Sequence, residues 1–244
     1  MPLFSVIMPA FRAEQTIIGS VGSLRDQDLT DWEVLVISDD GNDYAATLAA
    51  NGISDRRIRF LSTGRHGSGS SHARNVGLDA ASSDLIAILD ADDLMLPGKL
   101  EAMAEALNSH PLVSTGLQVT DTSGKVLRTV GVGPDRLLPP AAYKFTCFSR
   151  DSRIAYDRRR GDPRYDAGLP CLTDLDLILK LFATRSHDYH LGRTLHAYVK
   201  QPLSVSNGPG TSDRIAETKV LMLERLRNGH YTMLDGSGVD GFMR

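Results

Sequence analysis

The stretch GSSHARNVGLDAASSDLIAILDADD, Gly69–Asp93, decides the fold. Its first part, Ser70 to Ala81, has helical spacing, and its second part holds the unbroken apolar run LIAIL, Leu85 to Leu89. An apolar strand without polar alternation suits a parallel sheet covered on both faces. The run ends abruptly on Asp90, Asp92 and Asp93. A crossover helix, a buried strand and a carboxylate cluster beyond the strand are therefore read from one segment.

Working outward, the same pattern recurs towards the amino terminus. Leu3 to Met8, Trp32 to Ile37 and Ile58 to Leu61 read as strands, with helices expected at Glu14 to Leu24 and Tyr44 to Ala50. Strand-helix alternation of this kind means an α/β layered architecture with a mostly parallel sheet. After Asp93 the rhythm changes. Pro97 opens a helix to about Ser109, and Leu112 to Val119 and Lys125 to Val132 read as strands joined by the turn Thr122 to Gly124. A proline break at Leu138 to Pro140 precedes a stretch carrying Arg150, Arg153, Arg158, Arg159, Arg160 and Arg164. A helix at Leu175 to Phe182, a strand at Thr194 to Val199, a polar loop at Ser204 to Ser212 and a helix at Ile215 to Leu226 follow. The expected organisation is one domain over 1–228, its halves 1–93 and 94–228 sharing a sheet, and a flexible tail over 229–244.

Composition narrows the class without naming the chemistry. The 244 residues are 41% hydrophobic and 23% charged, the range of an ordinary globular protein. With 27 Lys plus Arg against 30 Asp plus Glu, the net charge of −3 supplies no global field for gripping nucleic acid. Cys147 and Cys171 are too few for a disulfide framework and lack metal-site spacing, so they read as small buried hydrophobes in a reducing compartment. No run approaches the roughly 20 apolar residues of a membrane span, and the opening MPLFSVIMPAF lacks a basic leader region. The expected address is the cytoplasm, at the inner membrane face if the acceptor lies there.

Placement of acids says more than their number. Asp39-Asp40-Gly41 follows one apolar strand, Asp90 to Asp93 follows another, and Asp174 with Asp176 opens the apolar helix. In open α/β sheets ligands bind beyond the carboxyl ends of the strands. Asp40-Gly41 also reads as a simple turn, and Thr173 or Asp174 as a helix cap. The Asp90 to Asp93 cluster is harder to explain structurally, because three carboxylates within four residues repel unless a cation or hydrogen-bond donors hold them. Oxygen ligands of this kind suit Mg²⁺ or Mn²⁺, with a nucleotide diphosphate completing the shell.

Four segments together resemble the family 2 glycosyltransferases, inverting enzymes of the GT-A fold that use nucleotide-diphospho-sugars. FSVIMPAFRAEQTIIGSVGSLRDQ resembles the family's first strand, loop and helix, and WEVLVISDDGNDYA its Asp-Asp-Gly-Ser turn. Gly69–Asp93 resembles its Ala-Arg-Asn-x-Gly helix and Asp-x-Asp motif, and LTDLDLILKL its catalytic helix start. The resemblance implies a Rossmann-like central sheet flanked by helices, with a mixed acceptor-side region after Asp93. It implies that Asp40 hydrogen-bonds the base in a pocket shaped by Pro9, Ala10 and Phe11. By the same resemblance Asp90 meets the ribose, Arg74 approaches the diphosphate, Asp92 holds the metal, and Asp174 is the general base. A UDP-sugar donor, a divalent metal (Mn²⁺ or Mg²⁺) and a carbohydrate, lipid-linked or small-molecule acceptor are implied partners.

The chain departs from the family where Thr173 replaces an acid beside the base and where Val199 and Gln201 occupy the Arg and His places near the end. His196, Lys200 and Gln201 are then the candidates for metal or diphosphate contact. Arg158, Arg159 and Arg160 are candidates for the acceptor side, since guanidinium forks match anionic groups, against the reading of a solvated charged face. Two alternatives stay open from sequence: a receiver-like Mg²⁺-binding phosphoacceptor module, and a catalytically inactive nucleotide-binding relative.

Overall fold

Four apolar runs become the strands β1 (Phe4–Ala10), β2 (Trp32–Ser38), β3 (Ile58–Ser62) and β4 (Leu85–Ile88), joined by helices α1 (Ile17–Arg25), α2 (Tyr44–Ala50) and α3 (Ser70–Ala80). The structure, a computed structural model, describes residues 1–142, 151–201 and 210–234. Beyond β4 lie β5 (Leu94–Met95), α4 (Lys99–Leu107), β6 (Leu112–Thr120), β7 (Val126–Val130), β8 (Arg136–Leu138), β9 (Ile154–Asp157), α5 (Thr173–Leu181), β10 (Asp188–Val199) and α6 (Thr211–Arg227).

One sheet runs β3-β2-β1-β4-β9-β6-β10-β5, with β7 added to β6 and β8 to β10. The first four strands are mutually parallel. β9 is antiparallel to both β4 and β6, while β6 and β10 are parallel to each other. The carboxyl ends of β4, β6 and β10 therefore point to one edge of the sheet. A receiver module has the doubly wound order 2-1-3-4-5, and this mixed sheet excludes that alternative.

Successive side chains of a strand face opposite sides, and here they enter two cores. Phe4, Val6 and Met8 of β1 pack with α1, α2 and α4, whereas Ile7 packs with α3, α5 and α6 on the other face. Helix α3 lies so close to the sheet that a Cβ on Gly77 would sit 2.6 Å from Ile7 Cγ2 and 2.8 Å from Ile37 Cδ1.

Three short strands escape the sequence reading. β9 rests on only three apolar residues, Ile154 to Tyr156, between arginines, yet it is wholly buried because it pairs on both sides. β8 stops at the proline break, and β5 is two residues long. β10 begins at Asp188 instead of Thr194 because its polar start is buried and bonded: Ser114 Oγ donates to Asp188 and lies 2.7 Å from His190 Nδ1.

The expected flexible tail is corrected over 229–234. Tyr231 and Met233 are buried, the Tyr231 hydroxyl donates to Asp176 at 2.7 Å, and Leu234 N donates to Phe182 O at 2.9 Å. Residues 235–244, Cys147, Arg150 and the 204–209 part of the polar loop lie outside the described residues.

Gly77→Ala is expected to lower unfolding free energy by about 1–3 kcal/mol through overpacking, although alanine favours helix over glycine. Urea denaturation checks this; unchanged stability would mean that α3 does not rest on Ile7 and Ile37.

Candidate active site at the carboxyl edge of the sheet

The paired acids after β2 work in opposite directions. Asp39 is buried and turns towards the loop between β3 and α3, accepting from Thr63 Oγ1 at 2.8 Å, Ser68 N at 3.1 Å, Gly69 N at 2.8 Å and the Ser68 hydroxyl. Burial raises its pKa, but these donors outweigh burial and hold it below the ordinary carboxylate range. Gly67 N also donates to the Asp39 carbonyl at 2.7 Å. The clamped loop brings the His66 ring edge-on to Phe11, centroids 5.5 Å apart.

Asp40 turns to the loop after β1. It accepts from Arg12 N at 2.5 Å, Asn42 N at 3.0 Å, Ser38 Oγ at 3.1 Å, the Tyr44 hydroxyl at 2.8 Å and Asn42 Nδ2 at 3.1 Å. Burial again opposes ionisation and the donors prevail, so its pKa is lowered. Arg12 has a φ of 52°, a left-handed conformation that is rare for a side chain of this size and that its bond to Asp40 secures. The bend leaves Pro9 half-buried, Ala10 buried and Phe11 42% exposed at the edge. Asp39, Tyr44 and His66 are site-building residues that sequence reading misses; two successive acids after a strand, facing opposite loops, were the available signal.

The Asp90 to Asp93 turn is held at both ends. Arg74, buried in α3, donates to Asp90 at 2.6 Å and forms an ion pair at 3.4 Å with Asp151, which also accepts from the Tyr165 hydroxyl at 2.7 Å. Burial works against the Arg74 charge, but Asp151 and Asp90 overcome it and raise its pKa. Its guanidinium is engaged with Asp90 and Asp151. At the other end, buried Asp93 accepts from Val199 N at 3.0 Å and meets His196 Nε2 at 3.1 Å. His196 Nδ1 lies 3.2 Å from Lys99 Nζ, which donates to Ser152 O at 2.6 Å. The ring tautomer protonated on Nε2 satisfies both neighbours. His196 is thus fully buried with both nitrogens engaged, and it is withdrawn as a metal or diphosphate contact.

Asp92 is half-buried between these anchored neighbours. Exposed Lys200, whose N–H donates to Thr120 O at 2.8 Å, and half-buried Gln201 leave β10 just after Val199, beside the same turn. Among the described residues no group of three or more His, Cys, Asp or Glu is arranged to hold a metal. The oxygen donor Asp92 fits a hard divalent ion that arrives with most of its shell on a diphosphate, the usual habit of Mg²⁺.

Asp174 stands half-buried in the first turn of α5, after Leu172 in a left-handed conformation with φ 55°, and its Oδ1 accepts from Leu175 N at 2.9 Å. Leu172, not Thr173 or Asp174, occupies the cap position. Asp176 is structural: it is buried against Lys180 at 2.6 Å, Arg225 at 3.4 Å and the Tyr231 hydroxyl.

Arg158, Arg159 and Arg160 lie at the opposite edge of the sheet, because β9 runs antiparallel to β4 and sets Asp157 against Leu85 at its amino end. Arg158 bonds Asp162 and Leu78 O, and Arg159 bonds Asp157 at 2.8 Å and faces Asp84 at 3.7 Å. Arg159 and Arg160 line a cavity of about 560 Å³ with Met1, Asp31 and Asp84. Their expected place at the acceptor side is therefore not met.

Comparison with known proteins bears on the family and the fold. The family model Glycosyl transferase family 2 matches residues 5–153. UDP-Glc:alpha-D-GlcNAc-diphosphoundecaprenol beta-1,3-glucosyltransferase WfgD of Escherichia coli is 41% identical over 147 residues, 54% of this chain and 57% of that protein. GalNAc(5)-diNAcBac-PP-undecaprenol beta-1,3-glucosyltransferase of Campylobacter jejuni is 31% identical over 109 residues, 44% of this chain and 35% of that protein. The chain thus matches little more than half the length of the first relative and about a third of the second. The structure of S. aureus TarS 1-349 in complex with UDP-GlcNAc superposes with a TM-score of 0.81 at 18% identity, covering 100% of this chain and 70% of that one. The fold expected from the resemblance is met.

Arg74→Gln is expected to cost about 3–5 kcal/mol, because it leaves buried Asp151 without its cation. Guanidinium denaturation measures it; a loss below about 1 kcal/mol, the level of an exposed ion pair, would show that Arg74 is not the brace.

Proposed function

The chain belongs to glycosyl transferase family 2, and on that premise we propose that it moves a hexose from a UDP-sugar to a hydroxyl of a lipid-linked acceptor, with inversion at the anomeric carbon. One observation carries the reading. Phe11 with its loop, Asp40 and the Asp90 to Asp93 turn follow β1, β2 and β4, three adjacent parallel strands, so a nucleotide laid along this edge meets them in turn.

In this reading the base stacks near Phe11 and bonds Asp40. Asp40 already has a full set of donors, and Asn42 Nδ2 is the one most readily displaced, since it also donates to Glu14 Oε1 at 2.5 Å. Asp90, steadied by Arg74, meets the ribose. Asp92 would hold the divalent ion, whose chemistry would be to offset negative charge developing on the departing diphosphate. Asp174 takes the acceptor hydroxyl proton as that oxygen bonds the anomeric carbon. The bond from that carbon to the diphosphate breaks, its electron pair leaving with UDP. A base on the face opposite the leaving group gives inversion, the two-face logic of inverting glycoside hydrolysis. Lys200 and Gln201 are the remaining candidates for diphosphate contact.

The names of the two bacterial relatives, both diphosphoundecaprenol or PP-undecaprenol glucosyltransferases, support a lipid-linked acceptor, and the first name also supports a UDP-sugar donor. Such an acceptor puts the work at a membrane face. No helix among the described residues is long and apolar enough to cross a membrane.

Titration calorimetry with UDP is expected to show binding that strengthens when Mn²⁺ replaces EDTA; no binding in either condition would remove the donor assignment. Asp174→Asn is expected to lower transfer by about 10²- to 10⁴-fold, the range of a general base, while UDP affinity stays within about twofold. Undiminished transfer would remove Asp174 as the base.

A further inference from the structure

We propose that Lys99 is a positioning residue of the donor site: acting through His196 and Asp93, its buried amino group fixes the turn that presents Asp92 to the diphosphate-bound cation. The inference deepens the functional reading above and rests on its assignment of Asp92.

Lys99 is the first residue of α4 and is completely buried beside the core residues Leu100 and Met103. A buried ammonium is costly, and an apolar side chain of similar volume would fill the space without desolvating a charge. Packing alone therefore gives no reason for a lysine here. Its bonds give one: Nζ donates to Ser152 O at 2.6 Å and meets His196 Nδ1 at 3.2 Å, and His196 Nε2 meets Asp93 Oδ2 at 3.1 Å. This chain of contacts joins the turn Asp151–Arg153, the start of α4, the end of β10 and the Asp90 to Asp93 turn. Asp93 Oδ1 accepts from Val199 N, which ties down the second carboxylate oxygen.

The opposite end of the acidic turn is anchored to the same place. Asp90 bonds Arg74, Arg74 pairs with Asp151, and Asp151 is the neighbour in sequence of Ser152. Two buried basic side chains, Arg74 directly and Lys99 through His196, thus link the Asp151–Arg153 turn to both ends of the Asp90 to Asp93 turn. Asp93 N also donates to Asp90 O at 3.1 Å, closing the turn on itself. Only Ala91 and Asp92 lie between the fixed ends, so the backbone position from which Asp92 projects follows from how those ends are held. Loosening one end shifts the backbone that carries Asp92 while the base pocket, built on Asp39 and Asp40, stays as it is.

The test compares UDP affinity by calorimetry in Mn²⁺ and in EDTA for the wild type, Lys99→Met, His196→Gln and Asp92→Asn, with Mn²⁺ binding in the presence of UDP followed by electron paramagnetic resonance. Loss of an outer-shell partner typically lowers metal affinity about 10- to 100-fold. Lys99→Met is expected to keep UDP affinity in EDTA within about twofold and to lose about tenfold or more of the gain that Mn²⁺ gives, with a matching loss of bound Mn²⁺ signal. In the Asp92→Asn background it should cause no further loss, because a residue acting through Asp92 has nothing left to position. A merely structural role would instead lower affinity in EDTA and add to Asp92→Asn. His196→Gln breaks the next link and supplies the same readings if Lys99→Met does not fold. A full Mn²⁺ gain in either folded variant, or losses that add to Asp92→Asn, overturns the proposal. Absence of any Mn²⁺ gain in the wild type marks a different failure, that of the metal assignment itself.

Discussion

The carboxyl edge depends on a guanidinium buried between two carboxylates. Arg74 reaches from α3, in the parallel half, to Asp90 at the end of β4 and to Asp151 in the mixed half, with the Tyr165 ring 5.3 Å away. Each of these charges would be costly to bury alone; the one guanidinium offsets part of the charge of two carboxylates, and burial with Asp90 nearby raises the Asp151 pKa. The same residue that satisfies the interior also joins the two halves of the sheet at the point where a ligand would lie. Tyr165 doubles this connection between α3 and the Asp151 turn, because Asn75 Nδ2 donates to its carbonyl and its hydroxyl donates to Asp151.

From that anchor the division of labour among the acids follows. Asp39, Asp93, Asp151 and Asp176 are buried and bonded, and they shape loops and turns. Asp40, Asp90, Asp92 and Asp174 keep partial exposure at the edge. In two of the acidic clusters a buried carboxylate stands next to a partly exposed one, Asp39 beside Asp40 and Asp93 beside Asp92. Rigid backing for an exposed group is what a site needs to hold a ligand in one geometry.

The parallel half was legible because its strands are continuous apolar runs and its acids fall where those runs stop. Legibility ends where a residue's role depends on partners far along the chain. Arg74 in a helix reads alike whether it faces a phosphate or two buried acids, and Asp151 offers no local pattern at all. His196 looks like a ligand until folding sets it against Asp93 and Lys99. The run Arg158 to Arg160 suggests an anionic acceptor, but the short buried strand before it, hidden among arginines, carries it to the amino edge, where neighbouring acids pair Arg158 and Arg159. Polar residues inside strands, such as Asp188 and His190, hide strand starts for the same reason: burial there is made tolerable by hydrogen bonds that no local pattern reveals.

The central claim is that the donor lies along the carboxyl edge, although the cavity of about 560 Å³ lies at the amino edge. A crystal structure of the chain with UDP and Mn²⁺ tests it most directly. The account predicts uracil against Phe11 and Asp40, and the diphosphate with its ion against Asp92. UDP seated instead beside Arg159 and Arg160, or an ion held away from Asp92, would contradict it.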